Sequence, residues 1–288
     1  MDLDGDGRRD ILSGSYSRMD KEMAGLFQVL YGEPDGTFRK AEVLKGTDGE
    51  PLIIPLNDLP MTENICTRPF AVDWDGDGHL DLVVGNFAGS FYWFKGEGQG
   101  KFGPKPEAIK AGNEPLRIDG HHSDPFAIDW DGDGDLDLLS GSSNGGAQWA
   151  ENVAGAGKIP ELRPFQMLIN PGRSIEDGEL LNENDLTGPT TSTRVWVADV
   201  NGDGKLDLLV GDSVTLISPA KGLSAEQFKK KFADWQKAFE DASQELSSEN
   251  ADEAERAKAN EEYRKVYDQR TEFLKENRTG FVWLYLQK

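Results

Sequence analysis

Short apolar runs closed by glycine recur along the chain: ILSG from Ile11, LVVG from Leu82, LLSG from Leu138 and LLVG from Leu208. Each is too short for a helix and rich in Leu, Ile and Val, so each predicts a buried strand. A second apolar stretch precedes three of them: PFAVDW from Pro69, PFAIDW from Pro125 and RVWVADV from Arg194. An aromatic segment opened by glycine follows all four, as GLFQVLY from Gly25, GSFYWF from Gly89, GAQWAEN from Gly146 and GFVWLYL from Gly280. Turns such as GEPDGTF at Gly32 and GEGQGKF at Gly96 lead on to fourth strands, AEVLK at Ala41 and EAIK at Glu107. Four strands per repeat predict a mainly β chain whose units stack around an axis as propeller blades. Trp74, Trp93, Trp130, Trp149, Trp196 and Trp283 fall at matched places and are expected to fill the gaps between units.

The period changes between residues 223 and 278. Ser224 and Gln227 have capping-box spacing, and Phe228, Phe232, Trp235, Phe239, Ala242 and Leu246 then follow a helical rhythm. Beyond the polar stretch SSENAD, Ala259, Tyr263, Val266 and Phe273 answer it. The expectation is an antiparallel helical hairpin, coiled-coil-like in its two apolar seams, inserted between the second and third strands of the last blade. The organisation is thus blades over 1–222, the hairpin over 223–278 and a returning strand over 279–288. The seams bury each other in the simplest reading; in the alternative the hairpin is a docking arm for a partner.

Immediately before each glycine-closed run stands a nine-residue pattern, D-x-[DN]-G-D-G-x-x-D. Glycines at positions 4 and 6 let the backbone curl until the oxygens of positions 1, 3 and 5 converge, a shell of hard oxygens suited to calcium. The first loop offers Asp2, Asp4, Asp6, the Arg8 carbonyl and Asp10. The second offers Asp73, Asp75, Asp77, the His79 carbonyl and Asp81. The third offers Asp129, Asp131, Asp133, the Asp135 carbonyl and Asp137, and the fourth Asp199, Asn201, Asp203, the Lys205 carbonyl and Asp207. An EF-hand is excluded, because position 12 is Ser13, Val84, Ser140 or Val210 rather than glutamate, and a strand follows instead of a helix. Asp and Gly also favour plain turns, but four copies with one ligand spacing favour a cation, about four Ca²⁺ ions in all.

Over 288 residues the formal net charge is -21. Four Ca²⁺ ions would return it to about -13, and the remaining acidity argues against nucleic acid or an anionic membrane as a partner. Cys66 is the only cysteine, which rules out an internal disulfide and a thiolate metal site. No apolar stretch is long enough for membrane insertion. Met1 falls where the other repeats carry the end of an incoming strand, so the expectation is a chain that has lost its true N-terminus or is a domain excerpt; any signal peptide would have gone with the missing part.

The loops with their apolar continuations resemble the FG-GAP or VCBS-type repeat family, calcium-bearing β-propellers related to the integrin α-subunit head. The resemblance covers nearly all of residues 1–222 and 279–288 and implies a propeller of usually seven blades. Four are visible, so blades upstream or hidden in stretches such as 155–193 are expected. No G-x-S-x-G, H-E-x-x-H, phosphate-loop or dinucleotide fingerprint occurs. His121 and His122, in DGHHSDPF, are the weak catalytic candidates. The resemblance implies a non-enzymatic, calcium-stabilised binding or adhesion scaffold, extracellular, at the cell surface or periplasmic, with a protein or polysaccharide ligand. The alternative is a carbohydrate-active propeller, a lectin or a polysaccharide lyase or hydrolase, acting through the histidine face.

Overall fold

A computed structural model of the chain describes residues 1–17, 24–173, 178–247 and 252–288. The strands are, in order, β1 (Ile11–Gly14), β2 (Phe27–Leu30), β3 (Glu42–Val43), β4 (Arg68–Val72), β5 (Asp81–Gly85), β6 (Phe91–Phe94), β7 (Gly96–Gly98), β8 (Lys101–Phe102), β9 (Glu107–Ala108), β10 (Lys110–Ala111), β11 (Glu114–Pro115), β12 (Asp124–Ile128), β13 (Asp137–Gly141), β14 (Ala147–Ala150), β15 (Gln166–Ile169), β16 (Thr191–Ala198), β17 (Asp207–Pro219), β18 (Leu274–Thr279) and β19 (Val282–Tyr285). Two helices, α1 (Ala225–Leu246) and α2 (Glu253–Gln269), lie between β17 and β18. The chain divides into two compact units, residues 1–172, 188–213 and 281–288, and residues 173–187 and 214–280.

The first unit is built from antiparallel sheets that follow the sequence repeats. Their orders are β1-β2-β3, β4-β5-β6-β9 and β12-β13-β14-β15; in the last, the 207–211 part of β17 pairs with β16 on one side and β19 on the other. The strand after the loop lies second in the second, third and fourth repeats and at the edge of the sheet, as β1, in the first; in β5 and β13 it is buried along its whole length. Alternation explains this, because successive side chains enter different apolar clusters. Leu82 and Val84 pack with Phe27, Val29 and Phe94, whereas Val83 packs with Trp93, Ala127 and Leu138. Leu139 in turn joins Phe126, Val195, Leu208 and Val210. Each cluster is therefore walled by two successive sheets. Trp74 and Trp93 are buried in one, and Trp130, Trp149 and Trp283 pack partly against another. Trp196 departs from the expected packing: 61% of it is exposed, because the alternation of β16 turns Val195 and Val197 inward instead.

In the first three repeats the glycine that ends the post-loop run has a physical cause. A Cβ on Gly14 would stand 1.8 Å from the Thr67 carbonyl oxygen, on Gly85 2.3 Å from that of Ser123, and on Gly141 2.2 Å from that of Thr193. The following repeat thus lies directly against the glycine. A hydroxyl residue fastens the junction every time. The Ser15 N–H donates to Thr67 Oγ1 (3.2 Å), the Asn86 N–H to Ser123 Oγ (2.8 Å) and the Ser142 N–H to Thr193 Oγ1 (2.8 Å). The backbone N–H of Thr67, Ser123 and Thr193 returns a bond to the carbonyl of Ser15, Asn86 and Ser142 at 3.0, 3.0 and 2.9 Å.

In the second unit, residues 214–219 of β17 pair with β18, and α1 and α2 form between them. The unit is wider than the 223–278 segment, since the strands of this ribbon and residues 173–187 belong to it. Ser224 and Gln227 make the expected capping box, and Asp252 with Glu255 makes a second one that caps α2. The middle of the SSENAD stretch, 248–251, lies outside the described residues. The helices run in opposite senses: the Trp235 indole N–H donates to the Val266 carbonyl (2.7 Å), while Phe239 meets Tyr263 and Tyr267. Phe273 lies beyond α2 rather than in its seam, packed against Phe228 in the core of the unit. No helix among the described residues is long and apolar enough to cross a membrane.

Candidate metal centres

The four loops share one hydrogen-bond pattern. The glycines at positions 4 and 6 all have left-handed φ, from +75° at Gly76 to +94° at Gly134, as the curl requires. The position-6 N–H reaches the first aspartate in every copy: Gly7 to Asp2 Oδ2 (2.8 Å), Gly78 to Asp73 Oδ2 (3.0 Å), Gly134 to Asp129 Oδ2 (3.0 Å) and Gly204 to Asp199 Oδ2 (2.9 Å). Position 7 donates to position 5, from Arg8, His79, Asp135 and Lys205 to Asp6, Asp77, Asp133 and Asp203 at 2.9–3.1 Å. These bonds fix the carboxylates before any ion arrives.

Position 9 does something different. Asp10, Asp81, Asp137 and Asp207 are buried, and one oxygen of each accepts from the position-2 N–H of Leu3, Trp74, Trp130 or Val200 at 2.8–3.0 Å. The other accepts from the second residue beyond the third strand of the repeat: Gly32 (2.9 Å), Gly96 (2.5 Å), Asn152 (2.8 Å) and Gln287 (3.0 Å). The last aspartate therefore ties its own loop to the end of the third strand, a role the spacing alone did not reveal.

Three loops bring three carboxylates together with oxygens all within 4.8 Å: Asp2, Asp4 and Asp6; Asp73, Asp75 and Asp81; Asp129, Asp131 and Asp137. In the fourth, Asn201 replaces a carboxylate, and its Oδ1 accepts from Asp203 N–H (2.8 Å). Asp10 stands outside the first trio, and Asp77 and Asp133 outside theirs. The Lys95 ammonium pairs with Asp75 and with Asp77 (3.0 Å), and the Arg8 guanidinium with Asp6, so two loops carry a partial counter-charge of their own. The donor set fits a hard cation, and one detail supports the fit. Asp73 Oδ1 is buried in its trio without a hydrogen-bond donor, and such an oxygen is costly unless a cation meets it. Asp135 was expected to act through its carbonyl; its side chain is itself buried, with Oδ2 accepting from Gly155 N–H (2.8 Å) and Oδ1 unpartnered.

Burial pushes the carboxyls of Asp81 and Asp135 up and raises Asp137 from the usual 3.8 to about 6, whereas the Lys95 ammonium lowers Asp77. A raised native pKa adds stability that is fully present below about pH 4 and is lost as pH rises through 6. For Asp137, carried from 3.8 to about 6, the loss is about 3 kcal/mol. In chelator, the wild-type melting temperature should therefore fall between pH 4 and pH 7 more steeply than that of Asp137→Asn. Parallel profiles for the two proteins would show that the burial of Asp137 carries no such cost.

His121 and His122 gather around Phe87, with ring centroids 5.6 and 4.5 Å from it. Burial, then Arg68, holds the His122 imidazole below its usual range, and its Nδ1 is buried without a partner among the described residues. Neither histidine joins a metal-ligating group among the described residues.

Two overlapping segments, residues 73–140 and 129–210, match the model of the FG-GAP-like repeat. No curated protein matches the chain. The matched segments hold the second, third and fourth loops with the strands that follow them, and residues 73–210 carry FG-GAP-like repeats.

Proposed function

We propose that this protein is a non-enzymatic, calcium-stabilised scaffold of β-propeller type that binds a protein or polysaccharide ligand outside the cell, at its surface or in the periplasm. The observation that carries the reading is the fourfold loop, in which backbone N–H groups preset aspartate oxygens to converge and leave Asp73 Oδ1 buried without a donor. Calcium is the cation that takes many hard oxygens in flexible geometry, and modules of this kind need the millimolar calcium found outside cells. Face-to-face succession of one sheet per repeat supports the propeller arrangement. The loop aspartates hold the frame, which leaves recognition to other surfaces. Calorimetric titration of chelator-stripped protein with CaCl₂ should give close to four sites. Heats no larger than dilution would refute the reading.

A further inference from the structure

The residue five positions before the first aspartate of each loop is Arg68, Asp124 and Arg194 in the second, third and fourth repeats. Each occupies one register position, opposite the closing glycine of its sheet: Arg68 faces Gly85, Asp124 faces Gly141 and Arg194 faces Gly211. Two residues earlier, Cys66, His122 and Ser192 all adopt left-handed φ, at +54°, +63° and +52°. Three non-glycine residues held in a costly conformation at one repeat position indicate a shaped feature rather than an accident.

The three side chains line one cavity of about 480 Å³ in the first unit, together with Ser13, Ser15, Tyr16, Cys66 and Thr67 among others. Its volume is within the range of small-ligand sites, and its mouth is broadly open to solvent. Arg68 Nε stands 3.9 Å from Asp124 Oδ1, and Arg194 Nε 3.5 Å from Asp124 Oδ2, so one carboxylate is shared by two guanidiniums without a tight pair to either. Backbone carbonyls hold the arginines in place: Arg68 Nη1 donates to His122 O (2.8 Å) and Arg194 Nη1 to Thr193 O (2.7 Å). Among the described residues, neither Nη2 has a hydrogen-bond partner. Burial pushes the Cys66 thiol up, and the charged side chains of the lining are the two arginines and Asp124. A net positive pocket within a chain of net charge -21 favours an anion. The planar guanidinium fork matches a carboxylate in two bonds. Tyr16 lines the same cavity and is 64% exposed, a ring free to stack on a flat ligand face.

We propose that the cavity walled by Arg68, Asp124 and Arg194 binds an acidic sugar, with the carboxylate of a hexuronate residue on the two guanidiniums and its ring against Tyr16. The proposal names a ligand class for the scaffold reading above and rests on it. Asp124 then acts as a built-in competitor that the ligand carboxylate must displace from the arginines.

The test is titration of the full chain with sodium glucuronate in millimolar calcium, followed by ligand-observed NMR. Saturable binding is expected, with no response to glucose. Arg194→Gln should weaken it about tenfold or more, the loss of a charge-assisted bond. Asp124→Asn should tighten it several-fold, an outcome that a purely structural role for this residue does not produce; if that variant does not fold, Arg194→Gln decides alone. Absence of glucuronate binding, equal binding of glucose, or an Arg194→Gln protein that binds as the wild type does would each overturn the proposal, as would inorganic phosphate binding where glucuronate does not. The calcium titration uses no sugar, so a protein that holds calcium and ignores glucuronate refutes only the pocket.

Discussion

Stripping calcium with a chelator is expected to lower the melting temperature by roughly 15–25 °C, and added Ca²⁺ to restore it. At about 2 mM free ion and affinities near 0.1 mM, each site adds about 1.8 kcal/mol through linkage, and four sites add about 7 kcal/mol. The effect is large because the ligands exist only in the folded loop. Without an ion, carboxylate oxygens within 4.8 Å of one another repel, and Asp73 Oδ1 loses the one partner its burial calls for. Mg²⁺ should recover less of the melt, since it needs near-ideal octahedral geometry and gives up its water reluctantly. A melting temperature indifferent to chelator would overturn the calcium assignment, whatever the fate of the sugar pocket.

The second large effect belongs to a single methyl group. Gly141→Ala is expected to cost about 4 kcal/mol or more, because its Cβ would stand 2.2 Å from the Thr193 oxygen and 2.5 Å from the Thr193 carbonyl carbon. Backbone cannot yield as a flexible side chain can. The next repeat must move away, and the bonds between Ser142 and Thr193 at 2.8 and 2.9 Å go with it. Gly211 supplies the control: it holds the same repeat position inside the longer β17, but a Cβ there meets nothing within 4 Å. Gly211→Ala should stay within about 0.5 kcal/mol of the wild type by denaturant unfolding. Equal losses at the two positions would mean that the glycine is required by its own strand and not by the neighbouring repeat.

The sequence made the loops, the strands after them and the capping box at Ser224 legible because local rules govern each: spacing, alternation and hydrogen bonding within a few residues. It also placed the aromatic third strands, at Phe27, Phe91, Ala147 and Val282. What it hid depends on distant partners. Nothing near Asp81 says that its carboxylate reaches Gly96, and nothing near Tyr267 says that it meets Phe239. Trp196 looked like its counterparts, yet the register of β16 turned it outward. The pocket residues were individually unremarkable, an Arg, an Asp and an Arg before similar strands. Their common offset of five from the loop start was the available signal, and it gains meaning only once the strand ends are seen to meet.

The glycine and hydroxyl junction is the same between each pair of neighbouring repeats, at Gly14 with Thr67, Gly85 with Ser123 and Gly141 with Thr193. A repeat therefore carries on one side the socket and on the other the plug that its neighbours need. Gene duplication of one such segment would deliver both halves of a compatible joint at once, without any compensating change elsewhere. In a lineage built this way the number of units can drift by whole steps, and diversity accumulates in the residues beside the joint, where Arg68, Asp124 and Arg194 already differ from one copy to the next.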